Sequence, residues 1–418
     1  MGRRLMTTTA TGTGRRLGLL DVLRLLAALS VVAFHYLART SPAWDGAPPE
    51  EFGVAGQLAV YGRMGVSLFF VISGFVVLMT AWGRTVPEFA ASRIGRLFPA
   101  YWVAVALSAV LVLVLWPENP AFFGHEISRG GALLNLTMLQ GAFGVPDLDG
   151  PYWTLWNEAR FYLLVAVFMA VGITRRRVLA AAALWPVVAA VVAQGGPGPL
   201  ATLLMPDYAP FFAGGMLLYV LYRDVVAGHG HSAGVWLLVG LQVAIALHWA
   251  PGAYTYMLAG ETPWRPSGVA IAAVTVACFG LVALVTLTRL NAVSAGWTAA
   301  AGALTYPVYL VHENLGWYVI HLTRGSVGPW AAVGLATVVA LAVAAALHHL
   351  VEKPFGGRLR RAVLRMTEQD AAPDRTGSSR PARVRPTSPR TPVLGTGHAL
   401  ADPGTVRSET TSSRLVAH

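Results

Sequence analysis

The sequence has little charge and almost no cysteine. Of its 418 residues, 12% are Asp, Glu, Lys or Arg, where an average soluble domain carries about 25%. Together with 55% hydrophobic residues, this excludes a single soluble domain. The lone cysteine, Cys278, sits in the apolar run Val276-Ala277-Cys278-Phe279, which excludes a disulfide framework and a cysteine-based zinc site. Lysine is nearly missing as well: Lys353 is the only one, so the 31 basic residues are almost all arginine. The formal net charge of +11 would by itself suggest a nucleic-acid partner. Its distribution argues against one, because residues 353–418 carry +7 and the far longer stretch 1–352 only +4.

What the chain has instead is long apolar runs. A helix needs about 20 mostly apolar residues to span a hydrocarbon core. Ten such runs fall near 17–37, 62–82, 98–116, 153–173, 178–193, 207–222, 233–249, 267–288, 299–322 and 330–350, the fifth being the weakest. The fold class expected is therefore an all-α polytopic transmembrane helical bundle of about ten spans. Basic residues in short loops are retained on the cytoplasmic side. With the N-terminus inside, that side receives Arg3, Arg4, Arg15, Arg16, Arg84, Arg93, Arg96, Arg175, Arg176, Arg177, Arg223 and Arg289 and the whole tail, whereas the outer side receives Arg39, Arg63, Arg129, Arg265 and Arg324. Both termini are thus expected in the cytoplasm.

The first run looks like an uncleaved span rather than a signal peptide, because it carries Asp21, Arg24 and His35 and no clear small-residue cleavage site follows it. Beyond about residue 366 the chain is rich in Pro, Ser, Thr, Gly and Arg, a disorder-type composition. The organisation expected is a basic cytoplasmic N-terminus (1–16), one membrane domain (17–352) and a basic, largely disordered cytoplasmic tail (353–418).

A charged side chain at the bilayer centre costs at least about 2.5–3.5 kcal/mol on insertion scales, so charges inside spans are candidates for function. Four groups qualify. Arg24 and His35 in the first span lie about three helical turns and ~16 Å apart on one face, where they can point into one cavity at different depths; a snorkelling Arg24 paired with Asp21 is the alternative. Arg93 and Arg96, three apart ahead of the third span, form a two-pronged basic site able to hold phosphates, although positive-inside residues belong there anyway. Glu158, just inside the fourth span, sits at the outer interface or faces a cavity, and Arg160 points to another face. The segment Thr305-Tyr306-Pro307-Val308-Tyr309-Leu310-Val311-His312-Glu313 combines a helix-kinking proline with two deep polar groups that need partners.

These residues resemble the motifs of the acyltransferase 3 family, polytopic membrane enzymes that acylate sugars, cell-envelope polymers and secondary metabolites. Arg24 and His35 match its Arg and His separated by ten residues. Gly65 to Phe75 is similar to its Gly-x-x-Phe-Phe-x-x-Ser-Gly-Phe signature with one extra residue. Arg93 to Trp102 resembles its Arg-x-x-Arg and Pro-x-Tyr-Trp segment, Trp153 to Tyr162 its Trp-Ser-Leu-x-x-Glu motif with Thr154 for Ser, Thr305 to His312 its Ser-Tyr-x-x-Tyr-Leu-x-His motif, and Glu352-Lys353-Pro354 its closing Glu-basic-Pro. No His is followed five residues later by Asp, and no Gly-x-Ser-x-Gly elbow occurs, so other acyltransferase classes fit worse.

The resemblance implies a multi-pass plasma-membrane O-acyltransferase using acyl-CoA, with acetyl as the default, to acylate a carbohydrate or natural-product hydroxyl. His35 is expected as general base, with Glu158 orienting it or stabilising its protonated form. Arg24, Arg93 and Arg96 would bind acyl-CoA, and Tyr309 and His312 are secondary candidates at the thioester or acceptor. A covalent acyl-His route is equally compatible. No metal is expected, since His348-His349 and His229-x-His231 lack paired ligand spacing and location. The rival readings are a transporter or flippase of a polar or glycosylated substrate, and a scaffold whose tail binds anionic lipid.

Overall fold

The computed structural model describes residues 16–117 and 127–370. Residues 1–15 and the tail beyond residue 370, expected as cytoplasmic extensions, lie outside the described residues. All ten expected runs fall on long helices: α1 (Gly18–Ala33), α2 (Gly65–Ala81), α3 (Val86–Val110), α4 (Tyr152–Val171), α5 (Arg175–Ala193), α6 (Ala209–Val226), α7 (Ala233–Glu261), α8 (Gly268–Leu287), α9 (Gly296–Val327) and α10 (Pro329–Leu347). A further helix, α11 (Lys353–Asp370), follows a π-helical turn at His348–Glu352. No β-strand occurs among the described residues.

Among the described residues, nine helices are long and apolar enough to cross a membrane. The exception is α9. It is 32 residues long, but its middle carries Thr305, Tyr306, His312, Glu313 and Asn314, which lower its hydropathy. Those residues can sit at that depth because α9 packs against both α1 and α10, so Thr305, His312, Glu313 and Asn314 are buried in protein instead of facing lipid. The helix continues through Pro307.

Two local devices position the site. The first span does not end as a regular helix: Phe34–Ala38 is wound as a π-turn, a distortion that often marks functional positions. It brings His35 and Arg39 into direct side-chain contact. Helix α3 begins with a capping box between Thr85 and Glu88, which fixes where the Arg93–Arg96 turn starts. Helix α2, apolar on all sides and largely buried, packs on α6 through aromatic pairs, Phe70 with Phe212 at 4.6 Å between ring centroids and Phe75 with Tyr219 at 5.4 Å.

Candidate functional site

The candidate residues gather around two cavities of opposite chemistry. The first, about 70 Å³, is lined by Arg24, Arg93 and Arg96 and by a single carboxylate, Glu158. Arg93 is buried; it donates to the Thr80 hydroxyl at 3.2 Å and lies over the rings of Phe89 and Tyr162. Its Nε has no hydrogen-bond partner. Arg24 stands 4.0 Å from Asp21, the weak pairing expected of the snorkelling alternative, yet its side chain lines the cavity. Glu158 accepts a hydrogen bond from Ser73 of α2 at 2.9 Å.

The second cavity, about 390 Å³, is lined by His35, Arg39 and Glu313 together with Arg63, Asp147, Glu261, Trp153 and Tyr208. Here the carboxylate beside His35 is Glu313, whose Oε2 lies 3.4 Å from His35 Nδ1. Arg39 donates from one nitrogen to Glu313 Oε1 at 3.0 Å and contacts His35 Nδ1 at 3.2 Å. The expected pairing of Glu158 with His35 is therefore corrected. Glu158 belongs to the arginine cavity, because α4 points it toward Ser73, while α9 inserts Glu313 opposite the π-turn.

The π-turn is held from behind. Trp317 donates its indole N–H to the His35 carbonyl at 3.0 Å, and the Tyr36 hydroxyl donates to the His312 carbonyl at 2.6 Å. The ring of His312 lies 5.1 Å from that of His35. Its Nδ1 faces the Tyr309 carbonyl at 2.9 Å; a carbonyl can only accept, so Nδ1 carries the proton and Nε2 presents a lone pair. That Nε2 is buried with no hydrogen-bond partner.

His35, His312 and Glu313 each offer a ligand atom within 4.8 Å of the others, a set that could hold a metal ion. The Arg39 guanidinium, however, already supplies positive charge to both His35 and Glu313. A cation added there would meet that charge at close range, so the group fits an ion-paired network better than a metal centre.

A loop closes over this network. Gly150 passes so near α9 that a Cβ there would lie 2.4 Å from both Glu313 carboxylate oxygens, which only glycine permits. The neighbouring Asp149 is fully buried and accepts from the Ser108 hydroxyl at 2.8 Å. Burial, followed by the nearby Glu313 charge, pushes its carboxyl well above the usual range. Asn314 ties the same loop to α9 by donating to the Leu148 carbonyl at 2.9 Å. Asp147 lines the cavity and accepts from Gln140 at 2.7 Å; burial raises its carboxyl to about 6.

The sequence places Arg24 and His35 on one face of one cavity. In the structure they line two cavities, which share Val66 and Tyr309 as common wall. Tyr309 is held there by a hydrogen bond between its hydroxyl and that of Thr154 at 2.8 Å. His312 is one layer further back. Arg39 and Asp149 are the site residues that the sequence reading passes over, whereas Glu313 is marked there as a deep polar group with no partner named. Arg39 had a signal in its four-residue spacing from His35; Asp149 had none, being part of a turn-rich loop.

A family model described as an acyltransferase domain matches residues 18–349. The peptidoglycan O-acetyltransferase OatA of Listeria monocytogenes is 26% identical over 168 residues, 36% of this chain and 24% of that protein. Nodulation protein 10 of Rhizobium leguminosarum is 28% identical over 169 residues, 36% of this chain and 44% of that protein. The acyltransferase MdmB of Streptomyces mycarofaciens is 29% identical over 154 residues, covering 35% and 38%. The matched segments thus span from about a quarter to under a half of these relatives. No solved structure matches the chain. The family match runs from α1 through α10 and takes in both cavities, so the chain is a multi-pass membrane protein that belongs to the acyltransferase 3 family.

Proposed function

We propose that the chain is a plasma-membrane O-acyltransferase that carries an acyl group, acetyl by default, from cytoplasmic acyl-CoA to a hydroxyl of a carbohydrate or secondary-metabolite acceptor. One observation carries this reading: an arginine-lined cavity and a histidine–carboxylate cavity meet at Val66 and Tyr309. The first suits a polyanionic donor; the second holds a base beside room for a neutral, hydroxyl-bearing acceptor. The positive-inside pattern supports a cytoplasmic opening for the arginine cavity. The names of the relatives support acyl transfer, and one of them, a peptidoglycan O-acetyltransferase, supports a carbohydrate-type acceptor and an acetyl group.

In this mechanism Arg93 and Arg96 hold the donor phosphates, Arg24 lines the path of its arm, and the thioester reaches the Val66–Tyr309 junction. His35 Nε2 takes the proton of the acceptor hydroxyl as its oxygen attacks the thioester carbonyl. The carbon–sulfur bond breaks, the new ester C–O bond remains, and the departing thiolate recovers the proton from His35 as free thiol. The tautomer matters. Contact with Arg39, which can only donate, needs the lone pair on Nδ1, whereas contact with Glu313 needs a proton there. At rest Nδ1 accepts from Arg39 at 3.2 Å, and Glu313 Oε2, 3.4 Å away, has no hydrogen-bond partner; the active tautomer is the one in which Nδ1–H turns to Glu313, which frees the Nε2 lone pair and lets Glu313 stabilise the imidazolium. Arg39 in turn neutralises Glu313 between turnovers. Trp153 and Tyr208 supply aromatic faces, and Asp147 and Glu261 supply acceptors for the hydroxyls of the second substrate.

The test is turnover of radiolabelled acetyl-CoA by the purified full chain in nanodiscs. His35→Ala is expected to lower transfer and donor hydrolysis by about 10²–10⁴-fold. Full turnover by that variant would remove His35 as base, and an absence of any thioester turnover by the wild type would favour the transporter reading.

A further inference from the structure

Helix α11 lies directly on the turn of α3 that carries Arg93 and Arg96. Gly95, between the two arginines, faces Gly356 backbone to backbone: a Cβ on Gly95 would lie 2.7 Å from the Gly356 carbonyl and 2.8 Å from the Arg360 Cβ, and one on Gly356 would lie 2.8 Å from the Gly95 carbonyl. Such reciprocal contact has no space for a side chain on either helix, so α11 is seated against this turn in one register. From Lys353 to Arg365 it carries five basic residues and no acidic one. Gly356 and Arg360 meet α3 at Gly95, and Lys353, three residues before Gly356, lies on the same stripe of the helix. Arg358, Arg361 and Arg365 form a second stripe roughly a third of a turn away. All five basic side chains are exposed.

The arginine cavity itself offers three guanidiniums offset by Glu158. It is also narrow. An acyl-CoA brings a diphosphate and a ribose phosphate at the end remote from its thioester, more negative charge than those residues balance and more bulk than the cavity holds. Resting on the donor reading above, we infer that α11 is the docking platform for the nucleotide end of acyl-CoA: Lys353 and Arg360 extend the Arg93–Arg96 site outward, and Arg358, Arg361 and Arg365 add the field that concentrates the polyanion at its mouth. The helix thus makes the enzyme selective for nucleotide-bearing thioesters over shorter acyl donors. The alternative occupant, an anionic lipid surface, shares the phosphate chemistry, and the exposed Phe355 and Met366 would suit it; the seating of Gly356 and Arg360 on Gly95, between Arg93 and Arg96, favours the donor.

The experiment compares acetyl-CoA with S-acetyl-pantetheine, which has the arm and thioester without the nucleotide, for the full chain in nanodiscs of neutral phosphatidylcholine. Arg360→Glu/Arg361→Glu is expected to raise KM for acetyl-CoA about tenfold, keep kcat, flatten the salt dependence of KM, and leave KM for S-acetyl-pantetheine unchanged. A milder Arg360→Ala/Arg361→Ala variant gives the same pattern at smaller amplitude and guards against misfolding of the first. Unchanged KM for both donors overturns the inference, as does an equal loss with both, which would mean a structural role. An effect that appears only in nanodiscs with anionic lipid overturns it in favour of a lipid contact. Binding of CoA alone to the wild type, measured by calorimetry, separates the two levels: no binding refutes the donor reading itself, whereas binding with variants unaffected refutes only the role of α11.

Discussion

The two cavities differ in how they use charge. In the arginine cavity three guanidiniums face one carboxylate, and Arg93 retains an unpartnered Nε; positive charge is left over for a ligand. In the histidine cavity each of the two arginines is paired with a carboxylate, and a third carboxylate, Asp147, takes a hydrogen bond from Gln140. Arg39 pairs with Glu313 at 3.0 Å and Arg63 with Glu261 at 3.4 Å. Surplus positive charge is the mark of a binding site for an anion, whereas arginines already paired with carboxylates around a histidine are the mark of a site that handles a proton without attracting anions. The comparison teaches that the burial of ionisable groups serves opposite ends a short distance apart in one bundle.

The comparison breaks most visibly at Glu313. Glu313→Gln keeps the shape but removes the charge that favours the Nδ1–H tautomer of His35 and its imidazolium, and the expected outcome is a fall in kcat of about a hundredfold or more with donor KM little changed. Steady-state kinetics on the nanodisc-embedded protein measure this. A change confined to KM would assign Glu313 to binding and dissolve the proposed division between the cavities.

A smaller effect is expected on the other side. Arg96→Ala should raise KM for acetyl-CoA about tenfold, the scale of one charge-assisted contact to phosphate, while kcat stays within about twofold and the salt dependence of KM weakens. If instead kcat fell with KM constant, the arginine cavity would be part of the chemical step and the contrast with the histidine cavity would lose its meaning.

Much of this was legible in the chain itself. The ten helices follow from apolar run length, and the depth of His35, Arg24 and His312 follows from their being charged or polar within such runs. The partnerships were less accessible, because they join residues far apart in sequence. Glu158 looked like the natural companion of His35, being a carboxylate in a strong motif near the outer end of a span, but the rotation of α4 directs it to Ser73. Glu313 reaches His35 because α9 packs on α1 and the π-turn at Phe34–Ala38 re-aims the imidazole and Arg39 together. A one-residue change of winding of that kind leaves no periodic trace in sequence. Asp149 shows the limit most plainly. It sits among turn-forming residues and becomes a buried carboxylate only when the loop folds down on α9.

The same loop provides the smallest and most specific test. Asp147 belongs to the histidine cavity but lies outside the helices, and burial raises its carboxyl from 3.8 to about 6. A carboxyl whose folded pKa is raised above its unfolded value favours folding in its protonated form. Its contribution is most favourable below about pH 4, is lost as the pH climbs from there through 6, and remains a net cost at neutral pH. Asp147→Asn, which keeps a side-chain acceptor for Gln140, should therefore raise the melting temperature at pH 7.5 by a few degrees, and the gain should shrink as the pH is lowered through 6 toward 4. Differential scanning fluorimetry across that range checks it. A gain independent of pH would mean that the ionisation of Asp147 is not what strains the loop.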